Sequence, residues 1–230
     1  MQTINVSIIV NCFNKEPYLD DCISSILRQT KQPKSIVVVH DSCSNVGVHL
    51  KADNIVLKEN HGVARARHEG FRFTDGALVL FVDGDDVLSP DYLEKMTLVI
   101  AKGADIAYPD LFIWSGKDSR TTIMPKKIDP KFVQDKEKIV IPVTCLMKRE
   151  VYEKVGGFRE WSVLEDVDFW IRAMCSGYIF KKAETLLWYR QLPDARNKID
   201  LVKRKEVLTK ILAQFTFTKD KVTLGGESLA

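Results

Sequence analysis

The sequence predicts an α/β fold in which helices flank a mostly parallel central sheet, with a smaller mixed sheet in the C-terminal half. In the first half of the chain, aliphatic and β-branched runs alternate with segments whose apolar residues recur every three or four positions. This alternation is typical of strands connected by helices. The strand segments are apolar at successive positions, as in parallel strands that helices cover on both faces.

The first half contains four predicted strands and three predicted helices. Pro17 falls in the first turn of the first helix, where a proline is tolerated because backbone N–H groups have no helical partner there. The predicted strands are Ile4–Val10, Ser35–Val39, Asn54–Leu57 and Ala77–Val82. The predicted helices begin near Pro17, Gly62 and Pro90, and the second of them ends at Phe73.

The second half is less regular. Its predicted strands are Ala104–Tyr108, Leu111–Trp114, Thr121–Met124 and Ile179–Tyr189. Its predicted helices are Lys148–Val155, which Gly156 and Gly157 end, then Leu164–Cys175 and Asp200–Phe217. Pro125–Lys138 is predicted to be a polar surface loop, and the last dozen residues a loose tail.

Length and composition limit the class of protein. A chain of 230 residues with 45% hydrophobic and 28% charged residues is an ordinary globular protein, and we expect one domain. The net charge of +3 does not favour a protein that binds duplex DNA by charge, so no stable nucleic-acid binding is predicted. Five cysteines without a C-x-x-C pair suggest reduced thiols. We expect a cytoplasmic protein, because no signal peptide or membrane-spanning run is visible.

Polar residues follow three of the predicted strands directly. These clusters are Asn11–Asn14, His40–Ser44 and Asp83–Asp86. In open parallel sheets, ligands bind beyond the carboxyl ends of the strands. The three clusters therefore predict a binding site at that edge of the sheet.

The segment Asp83–Asp86, called the acidic turn below, is a candidate metal site. Its three carboxylates repel one another unless a cation is present. Oxygen ligands of this kind suit Mg²⁺ or Mn²⁺, with substrate phosphates completing the coordination. The alternative is a structural acidic turn in which Asp86 or Ser89 caps the next helix.

Two further clusters have both a functional and a structural interpretation. Glu165, Asp166 and Asp168 lie at a predicted helix start, where they provide either a general base or the negative charge that a helix N-terminus favours. Arg65 and Arg67, in the segment Asn60–Gly70, either bind a phosphate or the edge of a base, or belong to a solvated helix face. No Gly-rich dinucleotide motif and no phosphate-binding P-loop follows the first strand.

Taken together, these segments resemble the inverting family 2 glycosyltransferases, which have a GT-A fold with a Rossmann-like sheet. The resemblance covers roughly residues 4 to 190. It is carried by VSIIVNCFNKEPYL (6–19), SILRQT (25–30), VVHDSCS (38–44), NHGVARARHEG (60–70), FVDGDD (81–86), VGGF (155–158) and ED (165–166). The individual pieces are weak, but their order and spacing together are specific.

The resemblance implies a nucleotide-sugar donor and assigns roles to individual residues. Asn11, Phe13 and Glu16 would contact the nucleoside, Asp41 would bind the uracil or an equivalent base, and Arg67 would approach the base or the phosphates. Asp83 would contact ribose or metal, and Asp85 would hold Mn²⁺ or Mg²⁺. Asp166 would be the general base, with Glu165 beside it in the acceptor site.

The sequence departs from the family pattern at several of these positions. His40 stands where the family often has Asp, Ser42 and Cys43 replace a Gly-Ser pair, and His68 replaces an Asn. Leu192 stands where a His often holds metal or diphosphate, so Arg190 or Arg196 is expected to neutralise phosphate instead.

The resulting expectation is a metal-dependent inverting glycosyltransferase with a UDP-linked donor, acting in surface polysaccharide or glycoconjugate synthesis. Residues 1–100 would bind the nucleotide sugar, residues 101–200 would bind a sugar or lipid-linked acceptor, and residues 201–230 would form a helix and tail. Peripheral membrane association fits a lipid-linked acceptor. The alternatives are a non-catalytic nucleotide-sugar binder, a transferase acting on a modified DNA base or a protein, and a nucleotidyltransferase. Lys126, Lys127, Lys131, Lys136 and Lys138 would approach an anionic acceptor or form a solvated loop.

Overall fold

In the computed structural model, the described residues are 3–42, 49–115, 118–128, 141–192, 201–217 and 222–225. The strands are β1 (Thr3–Cys12), β2 (Gln32–Asp41), β3 (Asp53–Leu57), β4 (Leu78–Asp83), β5 (Val87–Leu88), β6 (Ile106–Trp114), β7 (Ser119–Thr122), β8 (Leu146–Lys148), β9 (Phe180–Arg190), β10 (Phe215–Phe217) and β11 (Val222–Leu224). The helices are α1 (Glu16–Leu27), α2 (Val63–Arg72), α3 (Tyr92–Ala101), α4 (Arg149–Val155), α5 (Glu165–Cys175) and α6 (Leu201–Leu212).

Within these residues, nine strands form one central sheet in the order β3-β2-β1-β4-β8-β6-β9-β5, with β7 paired to β6. The strands β3, β2, β1 and β4 are parallel neighbours, and β6 and β9 are also parallel. The short strand β8 joins the two parallel groups through antiparallel pairing with β4 and β6. The predicted α/β fold is therefore confirmed, and the smaller second sheet is the antiparallel pair β10 and β11.

Helices cover both faces of the sheet, as the apolar strands predicted. In β1, Ile8 and Val10 pack with residues of α1 and α3, whereas Ile9 packs with residues of α2, α4 and α5 on the opposite face. This alternation follows from the two-residue period of a strand. From Val6 to Cys12 both faces of β1 are consequently buried, and its exposed polar residues, Thr3 and Asn5, lie at its start.

Three predictions about secondary structure are wrong in detail. The segment predicted as two strands around Pro109 is the single strand β6, because a register shift between Tyr108 and Asp110 accommodates the proline in its pairing with β9. The last predicted helix ends at Leu212 instead of Phe217. Part of the predicted loose tail is β11, since Val222 and Phe215 pack together in a third apolar cluster.

The parallel strands bring the predicted polar clusters together. β1 ends at Cys12, β2 at Asp41 and β4 at Asp83. Asn11 is the register partner of Asp83 on one side, and Cys12 is the register partner of His40 on the other. The carboxyl edge of the sheet therefore carries the described residues of all three clusters side by side.

Among the described residues, none of the helices has both the length and the hydrophobicity that a membrane-spanning segment requires.

Candidate active site

A cavity of about 750 Å³ opens at the carboxyl edge of the sheet. Residues from β1, β2, β4, α2, the start of α5 and the end of β9 line it, so both halves of the chain contribute. Among the residues predicted for the site, those that line the cavity are Asn11, Phe13, Asp41, Arg67, Asp83, Asp85, Glu165, Asp166 and Arg190. Glu16, the first residue of α1, is not among the lining residues.

The acidic turn is held against the end of β1 by its backbone. The Gly84 N–H donates to the Asn11 carbonyl at 2.9 Å, and the Asp86 N–H donates to the Asp83 carbonyl at 2.9 Å. A Cβ atom on residue 84 would lie 2.8 Å from the Asn11 carbonyl oxygen, which is too close for any side chain. Glycine is therefore required for this approach, and it fixes where the flanking carboxylates lie.

The carboxylates of the acidic turn have different partners. Asp85 forms an ion pair with the Lys15 ammonium at 2.8 Å. Burial and the neighbouring Asp83 raise the pKa of Asp85, and Lys15 opposes that shift. Asp86 is buried and accepts the backbone N–H of Arg190 at 3.1 Å. It does not cap α3, whose N-cap is Asp91, so the predicted capping role is not found.

Arg67 joins the two acidic clusters across the cavity. Its side chain is 3% exposed and donates to Asp83 at 2.9 Å and to Glu165 at 2.8 Å. Its guanidinium also lies 5.1 Å from the centre of the Phe158 ring. Burial acts to lower the pKa of Arg67, but the carboxylates of Asp83, Glu165 and Asp166 outweigh it and raise the pKa. Arg67 is therefore a fixed cation that connects the two clusters.

The start of α5 places Glu165 and Asp166 at the cavity wall. Leu164 precedes the helix in a left-handed conformation with φ of 65°, and no side chain caps the helix. Asp166 accepts the N–H of Val167 at 2.8 Å. Burial and the Glu165 carboxylate raise the pKa of Asp166 to about 6, although Arg67 partly offsets the increase. A carboxylate with this pKa is a better proton acceptor than an ordinary aspartate.

Backbone strain is concentrated near the same cavity. In the part of the chain that the structure describes, the non-glycine residues with positive φ are Asn14, Ser42 and Leu164. Asn14 and Leu164 line the cavity, and Ser42 directly follows the lining residue Asp41. Such conformations cost about 1–3 kcal/mol each and are commonly found at functional sites.

Two polar residues shape the floor of the cavity beyond β1 and β2. Asp41 is buried, and its two carboxylate oxygens accept the N–H groups of His61 and Gly62, both at 2.9 Å. Asp41 therefore holds the loop before α2. Asn11 is 8% exposed, and neither atom of its side-chain amide has a hydrogen-bond partner among the described residues. An unpaired buried amide at a cavity wall is available to a ligand.

Three other residues of the predicted polar segments, His40, Arg65 and His68, are not among the residues that line the cavity. His40 is buried, and its Nε2 atom lies 3.1 Å from the side-chain oxygen Oδ1 of Asn54. Arg65 pairs with Glu69 on the exposed face of α2 at 2.8 Å, and His68 is exposed. His40 is therefore a core residue, whereas Arg65 and His68 belong to a solvated helix face.

Arg190 is held at the cavity rim by several partners. Its Nε donates to the Asp85 carbonyl at 3.0 Å, and its guanidinium pairs with Asp21 at 3.0 Å. The guanidinium also lies over the rings of Tyr18 and Trp114, at 4.7 and 4.4 Å from their centres. Leu192 is buried, and Arg196 lies outside the described residues.

Asp168 has a structural role. Its buried carboxylate pairs with Arg172 at 2.9 Å and with Arg159 at 3.4 Å. Arg172 in turn donates to the carbonyl of Gly157 at 2.7 Å. These contacts tie the glycine turn after α4 to α5.

Sequence reasoning did not identify several residues of the site. Lys15, Thr144, Tyr189, Arg120 and Arg204 also line the cavity. Lys15 lies within the family-like segment 6–19, which is a signal for its position, whereas the others lie in segments without a recognisable motif. Of the predicted acceptor lysines, Lys131, Lys136 and Lys138 lie outside the described residues.

The side chains of the acidic turn have the chemistry of ligands for a divalent metal ion. Within the described ranges, no three His, Cys, Asp or Glu side chains are grouped so that they could hold a metal ion alone. Asp83 and Asp85 nevertheless both line the cavity. Mg²⁺ is commonly bound by one or two carboxylates together with substrate phosphates and water. The residues present therefore fit a divalent ion that is bound both by these carboxylates and by the phosphates of a nucleoside diphosphate.

Known proteins resemble this chain in sequence and in fold. The glycosyltransferase EpsH of Bacillus subtilis is 30% identical over 114 residues, 46% of this chain and 33% of that protein. The glycosyltransferase YwdF of the same organism is 29% identical over 189 residues, 74% of this chain and 68% of that protein. The alignments with EpsH and with EpsJ of Bacillus subtilis cover about a third of those proteins.

A solved structure shares the fold. The crystal structure of residues 1–349 of S. aureus TarS in complex with UDP-GlcNAc superposes with a TM-score of 0.67 and 17% identity, covering 87% of this chain and 61% of that one. The model of the family described as "Glycosyl transferase family 2" matches residues 7–156, which include the second part of β1, all of β2 and β4, and the acidic turn. Because this match spans more than half of the chain, the protein belongs to glycosyl transferase family 2.

Proposed function

We propose that this protein transfers a sugar from a UDP-linked donor to an acceptor hydroxyl, with inversion at the anomeric carbon and with a divalent metal ion. The observation that carries the proposal is that two carboxylate clusters, distant in the sequence, line one cavity and are joined by Arg67. The nucleotide-sugar complex of TarS, a protein with the same fold, supports the choice of donor. Surface polysaccharide or glycoconjugate synthesis is the process in which we place the reaction.

On the donor side, Asp83 and Asp85 would hold the metal ion. When bound, such an ion neutralises the negative charge that develops on a departing nucleoside diphosphate. The Asn11 amide offers its NH2 group as a donor and its oxygen as an acceptor to the nucleotide, and neither atom is committed within the described residues. Asp41 fixes the loop before α2 and bounds the same part of the cavity.

On the acceptor side, Asp166 would remove the proton from the attacking hydroxyl. A bond forms between that hydroxyl oxygen and the anomeric carbon, while the bond from the anomeric carbon to the diphosphate oxygen breaks and nucleoside diphosphate leaves. With a pKa of about 6, Asp166 is largely ionised at pH 7 and can accept the proton. Attack from the face opposite the leaving group inverts the configuration.

A donor screen tests the proposal. Nucleoside diphosphate release would be measured with a panel of nucleotide sugars and Mn²⁺, and the anomeric configuration of the product would be read by NMR. We expect turnover with a UDP-sugar, and a loss of at least about a hundredfold in the Asp85→Asn variant because a ligand to the charge-neutralising ion is removed. Asp75→Asn is the matched control, since Asp75 is exposed and pairs only with Lys34 in the described contacts.

Three outcomes would contradict the proposal. Binding of UDP without turnover across the donor panel would indicate a nucleotide-sugar binder. Full activity of Asp85→Asn would contradict the role of the acidic turn, and a product with retained configuration would contradict direct displacement.

A further inference from the structure

Lys15 occupies the position at which a metal ion would meet Asp85. Its Nζ atom lies 2.8 Å from the Asp85 carboxylate, and the two side chains are only 24% and 10% exposed. Both residues line the cavity. A cation is therefore already placed on one of the two carboxylates that fit a divalent ion.

The backbone places Lys15 beside the acidic turn. Lys15 is the N-cap residue of α1, and its carbonyl accepts the N–H of Tyr18 at 2.9 Å. The Gly84 hydrogen bond to Asn11 holds the acidic turn against the same loop, and a Cβ atom at residue 84 would lie 3.6 Å from the Lys15 Cβ. The stem of Lys15 thus starts beside the acidic turn, and its flexible end can choose among partners within reach.

The neighbouring arginines are committed elsewhere. Arg67 is divided between Asp83 and Glu165, and Arg190 pairs with Asp21 and stacks on two aromatic rings. Among the described contacts, the Lys15 ion pair is with Asp85 only. Lys15 is therefore the cation at the acidic turn that can change partners with the least rearrangement.

We propose that Lys15 is an internal counter-ion that occupies Asp85 in the donor-free protein, so that a divalent metal ion binds at the acidic turn only together with a nucleoside diphosphate. This inference rests on the proposed function of the site. Without the diphosphate, a divalent ion must displace the Lys15 ammonium from Asp85, and the two positive charges repel each other at short range. The diphosphate adds negative charge, which gives Lys15 a second partner and leaves Asp85 to the metal ion.

The proposal makes metal and nucleotide binding mutually dependent. Such coupling is reciprocal: UDP raises the affinity for metal by the same factor as metal raises the affinity for UDP. The proposal therefore requires that Lys15 increases this one coupling factor. Replacing Lys15 with Met should strengthen metal binding to the donor-free protein and leave a smaller coupling factor.

Metal binding without turnover provides the test. The affinity for Mn²⁺ would be measured by electron paramagnetic resonance, with and without UDP, for the unmodified protein and for Lys15→Met. We expect Lys15→Met to bind Mn²⁺ about tenfold or more tightly without UDP, and the coupling factor to fall by about tenfold or more. Lys34→Met is the matched control because it removes the same charge from an exposed pair of the same length, 2.8 Å from Asp75, and should change neither value.

The outcomes separate this inference from the proposed function. Equal Mn²⁺ affinities of the donor-free protein and Lys15→Met would overturn the inference alone. No Mn²⁺ binding to the unmodified protein with UDP, or unchanged binding to Asp85→Asn, would instead overturn the metal site. Lys15→Gln serves as the second variant, and circular dichroism verifies the fold of each protein.

Discussion

Replacing Arg67 with Met should both destabilise the protein and change its pH dependence. The substitution removes a guanidinium that joins Asp83, 35% exposed, to Glu165, 8% exposed. Breaking a buried ion pair by removing one partner costs about 3–5 kcal/mol, and we expect the lower end because solvent screens the Asp83 half of the bridge. A loss of about 3 kcal/mol lowers the Tm of a chain of this size by roughly 6–12 °C.

The same substitution should raise the pKa of Asp166 further. In the unmodified protein, burial and Glu165 raise this pKa to about 6, and the positive charge of Arg67 limits the increase. Without Arg67, Asp166 stays protonated to higher pH, so the acid limb of the rate profile moves above pH 6. Activity lost at pH 6 should be partly recovered at higher pH.

Differential scanning fluorimetry and the pH dependence of nucleoside diphosphate release measure these two effects. Arg65→Met is the matched control, because Arg65 lies on the exposed face of the same helix and pairs with Glu69. Exposed pairs of this spacing contribute about 0.3–0.5 kcal/mol. If Arg67→Met were no less stable than Arg65→Met and kept the original acid limb, the bridging role would be refuted.

Three further substitutions test other parts of the site. Asn11→Leu should leave the Tm unchanged or raise it, because the buried amide has no partner among the described residues. The same substitution should weaken UDP binding in calorimetry, and an unchanged UDP affinity would contradict the assignment of Asn11 to the nucleotide site. Gly84→Ala should lower the Tm by roughly 2–12 °C, from about 1–3 kcal/mol of overpacking against the Asn11 carbonyl, and a normal Tm would show that the turn can yield. Asp168→Asn should cost about 3 kcal/mol in denaturant unfolding, because Arg172 then loses its buried carboxylate, and a loss below about 1 kcal/mol would contradict that role.

The position of the site could be predicted from the sequence because parallel pairing leaves little freedom. Strands that are apolar on both faces must lie inside the sheet, and their carboxyl ends then meet at one edge. Asp41 and Asp83 follow such strands directly, so their approach to Asn11 required no knowledge of side-chain geometry. The approach of Glu165 and Asp166 to the same cavity came from the family resemblance, because no local pattern relates α5 to β4.

Partner choice among charged side chains could not be predicted. Lys15 pairs with Asp85 because the Gly84 approach brings two loops together, and Arg190 pairs with Asp21 because β9 ends beside α1. These contacts depend on loop geometry that the residue pattern does not encode.

The end of α6 was missed for a different reason. The apolar stripe of the helix extends to Phe215 in the sequence, and the helical period alone favoured continuation. The alternation Phe-Thr-Phe at 215–217 and Val-Thr-Leu at 222–224 is typical of strands, and these segments pair antiparallel. The two-residue period of both segments therefore favours strands over a continued helix.

The most direct test of the central claim is the pH profile of kcat for sugar transfer at saturating donor, in the unmodified protein and in Asp166→Asn. Because the folded protein raises the pKa of Asp166 to about 6, we predict that kcat of the unmodified protein falls as the pH decreases through about 6. We predict that Asp166→Asn loses this limb and at least about a hundredfold in kcat, while its affinity for UDP is retained. An Asp166→Asn protein with the original kcat and the original acid limb would contradict the assignment of Asp166 as the base.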